Sequence, residues 1–319
     1  MKNYSFHQKI LHDVVLSNYL IGKALFYSET FFFKRNLDIK NDQHVFISGM
    51  PRSGTTILLN FLYKSNKFAS LTYQDMPFIM SPNLWGKFYK KKKITYKERL
   101  HGDGIKYSLN SPEAFEEVFW NTFQNDKVLT NFNEYIHLVM LKYKKDRYLS
   151  KNNGNYKRLN ELAKFFKNSK FLIPMRDPFQ TAYSLFLQHR KFKLIQKKEK
   201  FIKTYMNYLG HYEFGLNHKP WFIPKKYNDS NLINYWLEQW FLYHQYIFKN
   251  CKNQRNIIFI EYEKLVFPKY QNKICKLLKI ENIEVVKFFT SRRKLIPEID
   301  LGLYDQCKKL RKKILSSFT

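Results

Sequence analysis

The chain of 319 residues is long enough for one large α/β domain or two small ones, and 44% hydrophobic residues suffice for a core. The net charge of +30 favours an anionic partner, such as an acidic glycan. Because lysine is spread along the whole chain, this charge does not by itself define a nucleic-acid-binding surface. Three cysteines without metal-ligand spacing indicate a reduced interior and no metal site.

The N-terminal residues 1–43 are predicted to form a helical extension that packs on the rest of the chain. Residues 1–20 are interrupted by His12 and Asp13, so they lack the apolar run of a signal peptide. No stretch of the sequence reaches the roughly 18 apolar residues that a membrane-spanning helix needs. These features predict a cytoplasmic protein without a transmembrane segment.

The stretch HVFISGMPRSGTTILLN, residues 44–60, predicts a strand, a loop and the start of a helix. Residues 45–47 are an apolar run typical of a buried strand, and residues 55–63 are amphipathic. The first N–H groups of a helix have no partner within the helix, so they bind anions readily. The predicted anion site consists of Arg52, Ser53, Gly54, Thr55 and Thr56.

The spacing of Gly49 and Gly54 matches a Walker A loop, but Thr55 stands where that pattern requires lysine. An ATP- or GTP-hydrolysing site would therefore lack its main phosphate-binding cation. A tight turn that binds nothing is the structural alternative for this loop.

The next part of the chain gives weaker signals. Residues 68–73 are a strand candidate, residues 75–85 lie where α/β folds carry substrate loops, and lysines 90–93 predict a solvated loop or the rim of an anionic acceptor site. Ser111 followed by Pro112 predicts the start of a helix. That helix would carry Glu113, Glu116 and Glu117 on one face, where acidic residues complement the helix dipole.

The second half of the chain alternates predicted helices with short apolar strands. The predicted helices are residues 133–145, 156–166, 179–189 and 232–248. The predicted strands are residues 147–150, 171–175 and 256–260. This alternation predicts an α/β protein: one domain with a three-layer α/β/α fold of P-loop type, a central, mainly parallel sheet flanked by helices, and a basic helical segment at 281–319.

Three polar residues, Arg52, Arg176 and Tyr262, closely follow predicted strands, so we expect them at one edge of the sheet. In RDPFQTAYS, Ser184 lies about two helical turns after Arg176, and the two side chains could bind one phosphate together. An ion pair between Arg176 and Asp177 or another acid is the structural alternative.

The pair of motifs, PRSGTT and RDPFQTAYS, resembles the 5′-phosphosulfate and 3′-phosphate motifs of the bacterial-type sulfotransferases that use 3′-phosphoadenosine 5′-phosphosulfate (PAPS). Residues 148–178 look like the lysine-containing turn, helix and strand of that family. FIEYEKLV resembles a stretch whose tyrosine lies near adenine, which implicates Tyr262, although Lys264 replaces the family's aspartate. The C-terminal Arg-Lys-Gly motif is not matched; Arg292 and Arg293 are either substitutes or ordinary surface charge.

The resemblance implies transfer of a sulfuryl group from PAPS to a hydroxyl or amine, with adenosine 3′,5′-bisphosphate as product and no metal. Arg52 would stabilise charge on the leaving group, and the general base would be Glu113 or Glu116, then His101. The expected acceptor is a carbohydrate or a small hydroxylated metabolite, and no specific nucleic acid is expected. The alternatives are a small-molecule or nucleotide kinase, which needs a lysine and an acid for Mg²⁺, and a basic nucleic-acid-binding module.

Overall fold

The computed structural model describes residues 5–33, 42–88, 93–102, 104–124, 127–281, 284–288 and 293–317. The α-helices are α1 Phe6–Ser17, α2 Tyr19–Phe33, α3 Thr55–Tyr63, α4 Pro82–Phe88, α5 Glu117–Thr122, α6 Val128–Tyr143, α7 Leu159–Phe165, α8 Pro178–Lys198, α9 Lys200–Tyr208, α10 Ile233–Cys251, α11 Pro268–Leu277 and α12 Leu301–Ser317. The strands are β1 Val45–Ile47, β2 Lys97–Glu98, β3 Lys106–Tyr107, β4 Leu149–Lys151, β5 Lys170–Met175 and β6 Ile257–Glu261. Short 3₁₀ helices occupy Tyr73–Asp75, Asn153–Lys157 and Tyr262–Val266.

Four of these strands form a parallel sheet in the order β4–β1–β5–β6. Val45 of β1 lies opposite Leu149 of β4 and Lys170 of β5, so β1 is an inner strand. The strands β2 and β3 form a separate antiparallel pair. Because all four strands of the main sheet run the same way, their carboxyl ends lie along one edge, where ligands of such sheets bind.

Alternate side chains of the sheet enter two hydrophobic cores. On one face Phe46 stacks on Phe171, with ring centroids 4.8 Å apart, and helices α6, α8 and α10 complete that core. On the other face Ile47 and Leu172 pack against α3 and α11. A sheet that is apolar on both faces must be covered on both, which produces three layers. The predicted α/β fold with a central parallel sheet flanked by helices is therefore confirmed.

Helices α1 and α2 near the N-terminus and α12 near the C-terminus pack on this frame, whereas the described residues 284–288 and 293–300 of the predicted C-terminal helical segment are not helical. Helix α1 contacts α9, and α2 contacts α4, α5 and α6. The buried carboxylate of Glu29 in α2 accepts hydrogen bonds from the backbone N–H groups of Asn83 and Leu84, at the start of α4. At the other end, α12 packs against α8, α10 and β6. The organisation of residues 1–319 as one domain stays a prediction.

The predicted strand at residues 68–73 is wrong. Ala69 forms an isolated parallel bridge with Tyr148, and Thr72 forms an isolated antiparallel bridge with Pro112. The chain then turns into the 3₁₀ helix at Tyr73–Asp75, in which the Asp75 carboxylate accepts a hydrogen bond from the Thr72 N–H. Local capping by Asp75 therefore ends the extended segment before it can become a strand.

The helix predicted to start at Pro112 is also wrong, because α5 begins only at Glu117. The Glu113 N–H donates to the Leu71 carbonyl at 3.1 Å, which holds this segment extended against the preceding chain. Ser111 Oγ accepts from the Ser108 N–H instead of capping a helix. Among the predicted lysine and arginine sites, Lys90–Lys92 and Arg292 lie outside the described residues.

Candidate functional site

The loop between β1 and α3 approaches neighbouring groups closely. Gly54 caps α3 with a φ of 99°, a conformation that favours glycine. A β-carbon at Gly54 would lie 2.2 Å from Cδ2 of Tyr262, so the tyrosine ring packs directly on the loop backbone. Arg52 also has a positive φ, 68°, which turns the chain before the helix. The loop therefore presents the unpaired N–H groups of the first turn of α3 at the carboxyl edge of the sheet.

The structure brings the two predicted arginines together. Arg52 Nε donates to Ser184 Oγ at 3.0 Å, and Arg176 Nη1 donates to the Arg52 carbonyl oxygen at 3.4 Å. The Arg176 guanidinium also lies over the Tyr262 ring, 5.4 Å from its centroid. Ser184 thus contacts the arginine of the first loop, and a residue from α8 helps to fix the loop after β1. The guanidinium groups of Arg52 and Arg176 therefore lie beside the N-terminus of α3, and we refer to this region as the crevice.

The hydroxyl residues of the loop divide into two kinds. Ser53 is buried, and its hydroxyl donates to the Met50 carbonyl at 2.6 Å, so it holds the loop in shape. Thr55 is also buried, at the first position of α3. Thr56 Oγ1 accepts from Lys151 Nζ at 3.1 Å, which places a lysine from the end of β4 beside the loop. Lys151 is therefore a third cation at this edge.

Glu113 lies at the centre of the neighbouring charges. Its Oε1 accepts from Lys151 Nζ at 2.8 Å, and its Oε2 accepts from Arg99 Nη1 and from Tyr73 Oη, both at 3.0 Å. Burial alone would raise the pKa of the Glu113 carboxyl, but Lys151 and Arg99 hold that pKa well below its usual range. Glu113 is therefore an ionised carboxylate whose basicity is low and which orients Lys151.

Glu116 lies deeper. It is 1% exposed, and its carboxylate accepts hydrogen bonds from Trp120 Nε1, Tyr148 Oη and Asn152 Nδ2 at 3.2–3.3 Å. This carboxylate ties α5 to the segment after β4, which is a structural task in the geometry seen here.

His101 packs its ring against Phe192 and Phe214, with centroid distances of 5.2 and 6.0 Å. Burial lowers the pKa of His101 well below 6.5, and the charges of Arg99 and Arg52 lower it further. The imidazole is therefore neutral near pH 7, and it lies within electrostatic range of the anion loop.

A cavity of about 450 Å³ opens beside Arg176. Its walls include the basic or polar residues Gln180, Lys264 and Arg293 and the acidic residues Asp177 and Glu263. Cavities of roughly 300–1,000 Å³ are typical of small-molecule sites. Arg176 thus stands between the crevice at Arg52 and this cavity.

Two residues of the site were not singled out from the sequence. Lys151 follows a strand, as Arg52 and Arg176 do, and the strand-end argument applied to 147–150 would have identified it. Arg99 directly follows β2, for which the sequence gives no clear signal, and only tertiary packing brings it to Glu113.

The described residues contain no group of three or more His, Cys, Asp or Glu side chains that could hold a metal ion. None of the described helices is both long enough and apolar enough to cross a membrane.

The fold and this crevice define an α/β protein in which arginines that follow two strand ends meet at a strand–loop–helix segment. A model of the sulfotransferase family matches residues 44–221, which is more than half of the chain. The chain therefore belongs to the sulfotransferase family.

Two solved structures are similar. The sulfotransferase STF1 of Mycobacterium tuberculosis H37Rv is 9% identical, with a TM-score of 0.48, over 97% of this chain and 82% of that one. The sulfotransferase STF9 of Mycobacterium avium is 11% identical, with a TM-score of 0.47, over 97% of this chain and 78% of that one. No curated protein matches the sequence significantly.

Proposed function

We propose that this protein transfers the sulfuryl group of PAPS to a hydroxyl or amine of an acceptor and releases adenosine 3′,5′-bisphosphate. The observation that supports this most is the contact between Arg52 and Arg176, which follow two adjacent strands: Arg176 Nη1 donates to the Arg52 carbonyl oxygen at 3.4 Å, just before α3. A donor with anionic groups at both ends of a nucleoside requires a cationic side chain for each of them. The family supplies the reaction class.

The residues present fit that donor. Arg52, the hydroxyl of Thr56 and the first N–H groups of α3 would bind the 5′-phosphosulfate. Arg176 and Ser184 are proposed for the 3′-phosphate, with the cavity beside Arg176 as the space next to it. Tyr262, packed on Gly54, would form the wall against which the nucleoside rests.

Charge stabilisation is the main task of these residues during transfer. As the S–O bond to the 5′-phosphate breaks, negative charge grows on the bridging oxygen, and Arg52 and Lys151 are placed to stabilise it. Removing one such donor typically slows a reaction about 10²–10³-fold. Glu113 would hold Lys151 in place, since its carboxylate already accepts from that ammonium group.

The acceptor is proposed to be a carbohydrate or a small hydroxylated metabolite. The basic crevice formed by Arg52, Arg99 and Lys151 suits an acceptor that carries anionic groups as well, as an acidic glycan does. Of the base candidates from the sequence, Glu113 and Glu116 are engaged by neighbouring side chains, whereas His101 is neutral near pH 7.

The test is a thermal-shift titration with adenosine 3′,5′-bisphosphate, AMP and ATP–Mg²⁺. We expect the bisphosphate to stabilise the protein by about 2.7 kcal/mol at a hundred times its dissociation constant, and ATP–Mg²⁺ to do far less. Equal or greater stabilisation by ATP–Mg²⁺ would favour a kinase. Binding to arbitrary DNA that weakens steeply with salt, without a response to the bisphosphate, would favour a nucleic-acid-binding module.

A variant tests the assignment of the 3′-phosphate. Arg176→Ala should remove the preference for the bisphosphate over AMP without preventing folding. Arg190→Ala is the matched control, because Arg190 lies on the exposed side of α8 with its guanidinium over Phe186. If Arg176→Ala keeps the preference that Arg190→Ala shows, the role assigned to Arg176 is wrong.

A further inference from the structure

A histidine–glutamate pair lies in the loop after α9, outside the groups discussed so far. His211 Nδ1 lies 3.3 Å from Glu213 Oε1, and the His211 N–H donates to the Met206 carbonyl at 2.9 Å. The side chain of Glu213 is 11% exposed and that of His211 is 24% exposed. The glutamate is thus enclosed, while the imidazole keeps an open side.

Two contacts hold this loop against the segment after β4. Asn153 Nδ2 donates to Glu213 Oε1 at 3.3 Å, and Asn153 is two residues after Lys151. Gly210 packs so closely on Glu117 that a β-carbon there would lie 2.6 Å from Cγ of that glutamate. Glu117 in turn accepts from Asn152 Nδ2 at 2.8 Å. The pair is therefore fixed beside the strand end that carries Lys151 to the anion loop.

Two oxygen atoms of this group have no hydrogen-bond partner. Within the part of the chain that the structure describes, Asn153 Oδ1 and Glu213 Oε2 are buried and unpaired. A buried oxygen without a donor is costly, so such atoms need a partner from outside the chain, either water or a group of a ligand that displaces it. Both atoms are acceptors at neutral pH, and the missing partner must therefore present O–H or N–H donors.

The charged groups around His211 set the pKa of its imidazole and suit it to accept a proton. Burial alone would lower the pKa of His211, but the charge and hydrogen bond of Glu213 raise it above 6.5. Lys151 opposes this rise and Glu113 adds to it, so both charges of the anion-loop edge act on this imidazole. With Nδ1–H directed at Glu213, the lone pair lies on Nε2.

We propose that His211, Glu213 and Asn153 form the acceptor subsite. His211 takes the proton of the attacking hydroxyl. The two unpaired oxygens bind further hydroxyl or amine donors of the same acceptor. This inference rests on the proposed sulfuryl transfer. The acceptor oxygen forms a bond to sulfur, and its proton passes to His211 Nε2. The bond from sulfur to the 5′-phosphate oxygen breaks, and its electron pair remains on adenosine 3′,5′-bisphosphate.

The chemistry of the subsite selects an acceptor with several donors. A sugar or amino sugar satisfies Asn153 Oδ1 and Glu213 Oε2 while a further hydroxyl faces His211. A simple phenol supplies one hydroxyl and leaves both oxygens unpaired, so it should be a poor acceptor.

The first experiment measures transfer from ³⁵S-labelled PAPS to methyl glycosides, methyl glycosides of amino sugars, and 4-nitrophenol. His211→Gln should lower kcat about 10²–10⁴-fold with the best acceptor, because a general base contributes that much. His137→Gln, a half-buried histidine on α6, is the control and should match the wild type. Imidazole should restore part of the activity of His211→Ala, which a merely structural role for His211 would not allow.

The pH dependence of kcat gives a second readout. Only the neutral imidazole accepts a proton, so wild-type kcat should fall as the pH drops through the raised pKa of His211. Glu213→Gln removes the charge that raises this pKa, and the inflection should move down by about 1–3 units. NMR titration of the His211 ring, assigned by its loss in His211→Gln, should show the same displacement without any acceptor.

The outcomes separate the two proposals. The role of His211 as the base would be overturned if His211→Gln had the kcat of the wild type and the same inflection in the pH dependence of kcat. The acceptor class would be overturned by faster transfer to 4-nitrophenol than to every glycoside. Stabilisation by adenosine 3′,5′-bisphosphate without transfer to any glycoside also counts against that class. Absence of both transfer and stabilisation contradicts the proposed function itself.

Discussion

Replacement of Gly54 by alanine tests how closely the loop between β1 and α3 packs on Tyr262, which directly follows β6. A non-glycine residue with positive φ costs roughly 1–2 kcal/mol, and Gly54 has a φ of 99°. The new methyl carbon would lie 2.2 Å from Cδ2 and 2.3 Å from Cε2 of Tyr262, distances at which the ring must move. Tyr262 is 3% exposed, and overpacking such a ring costs about 1–3 kcal/mol. The free energy of unfolding should therefore fall by roughly 2–5 kcal/mol.

Urea denaturation measures this loss. Gly104→Ala is the matched control, because Gly104 has a φ of 73° but a β-carbon there meets no described atom within 4 Å. It should lose only the backbone part, about 1–2 kcal/mol. Adding Tyr262→Ala to Gly54→Ala should reveal a favourable coupling of about 1–3 kcal/mol, since the small side chain leaves room for the methyl group. Equal losses in Gly54→Ala and Gly104→Ala, with no coupling to Tyr262, would refute the packing argument.

Three further predictions concern charges and thiols. Lys142→Met leaves the buried Asp75 carboxylate without its ion pair and should lower the free energy of unfolding, measured in urea, by about 3–5 kcal/mol. Lys264→Met removes a surface ion pair and should lower it by less than about 1 kcal/mol. Similar losses in both variants would contradict the argument. The folded pKa of Glu113 lies below its unfolded value of 4.5, so the contribution of Glu113 to the free energy of unfolding is present above pH 4.5 and is lost as the pH falls towards the folded pKa. Glu113→Gln should therefore weaken the loss of stability at acidic pH, measured by urea denaturation between about pH 3.5 and 7. An unchanged acid dependence would show that Glu113 is not held ionised. Burial raises the pKa of the thiols of Cys251, Cys275 and Cys307. Ellman's reagent should therefore modify these thiols only as fast as the protein unfolds, and rapid labelling of the native protein would disprove their burial.

The parts of the fold with strong local signals could be predicted from the sequence. The apolar runs at 45–47, 171–175 and 256–260 correspond to β1, β5 and β6 within a residue or so, because a strand buried on both faces is continuously apolar. The proximity of Arg52 and Arg176 also followed from the sequence, since both residues close parallel strands and such ends share one edge.

The acidic part of the site could not be predicted in the same way. Ser111 and Pro112 give a good helix-start signal, but hydrogen bonds from this segment to Leu71 and Ser108 outweigh it. Glu113 thereby points at Lys151, which is 38 residues away in the sequence, and not along a helix face. His211 and Glu213 carry no motif, and two tertiary contacts bring them to the segment after β4: the packing of Gly210 on Glu117 and the hydrogen bond from Asn153 to Glu213.

The position of β1 in the sheet has a consequence for how the protein is made. Both neighbours of β1 are synthesised about a hundred residues after it, and Ser184, which contacts Arg52, follows that arginine by 132 positions. A nascent chain that ends before β4 thus has the complete sequence of the loop between β1 and α3 but neither of the strands that flank β1. We expect the loop to remain unstructured on the ribosome until α8 emerges, and truncated products to show no stabilisation by the donor proposed above.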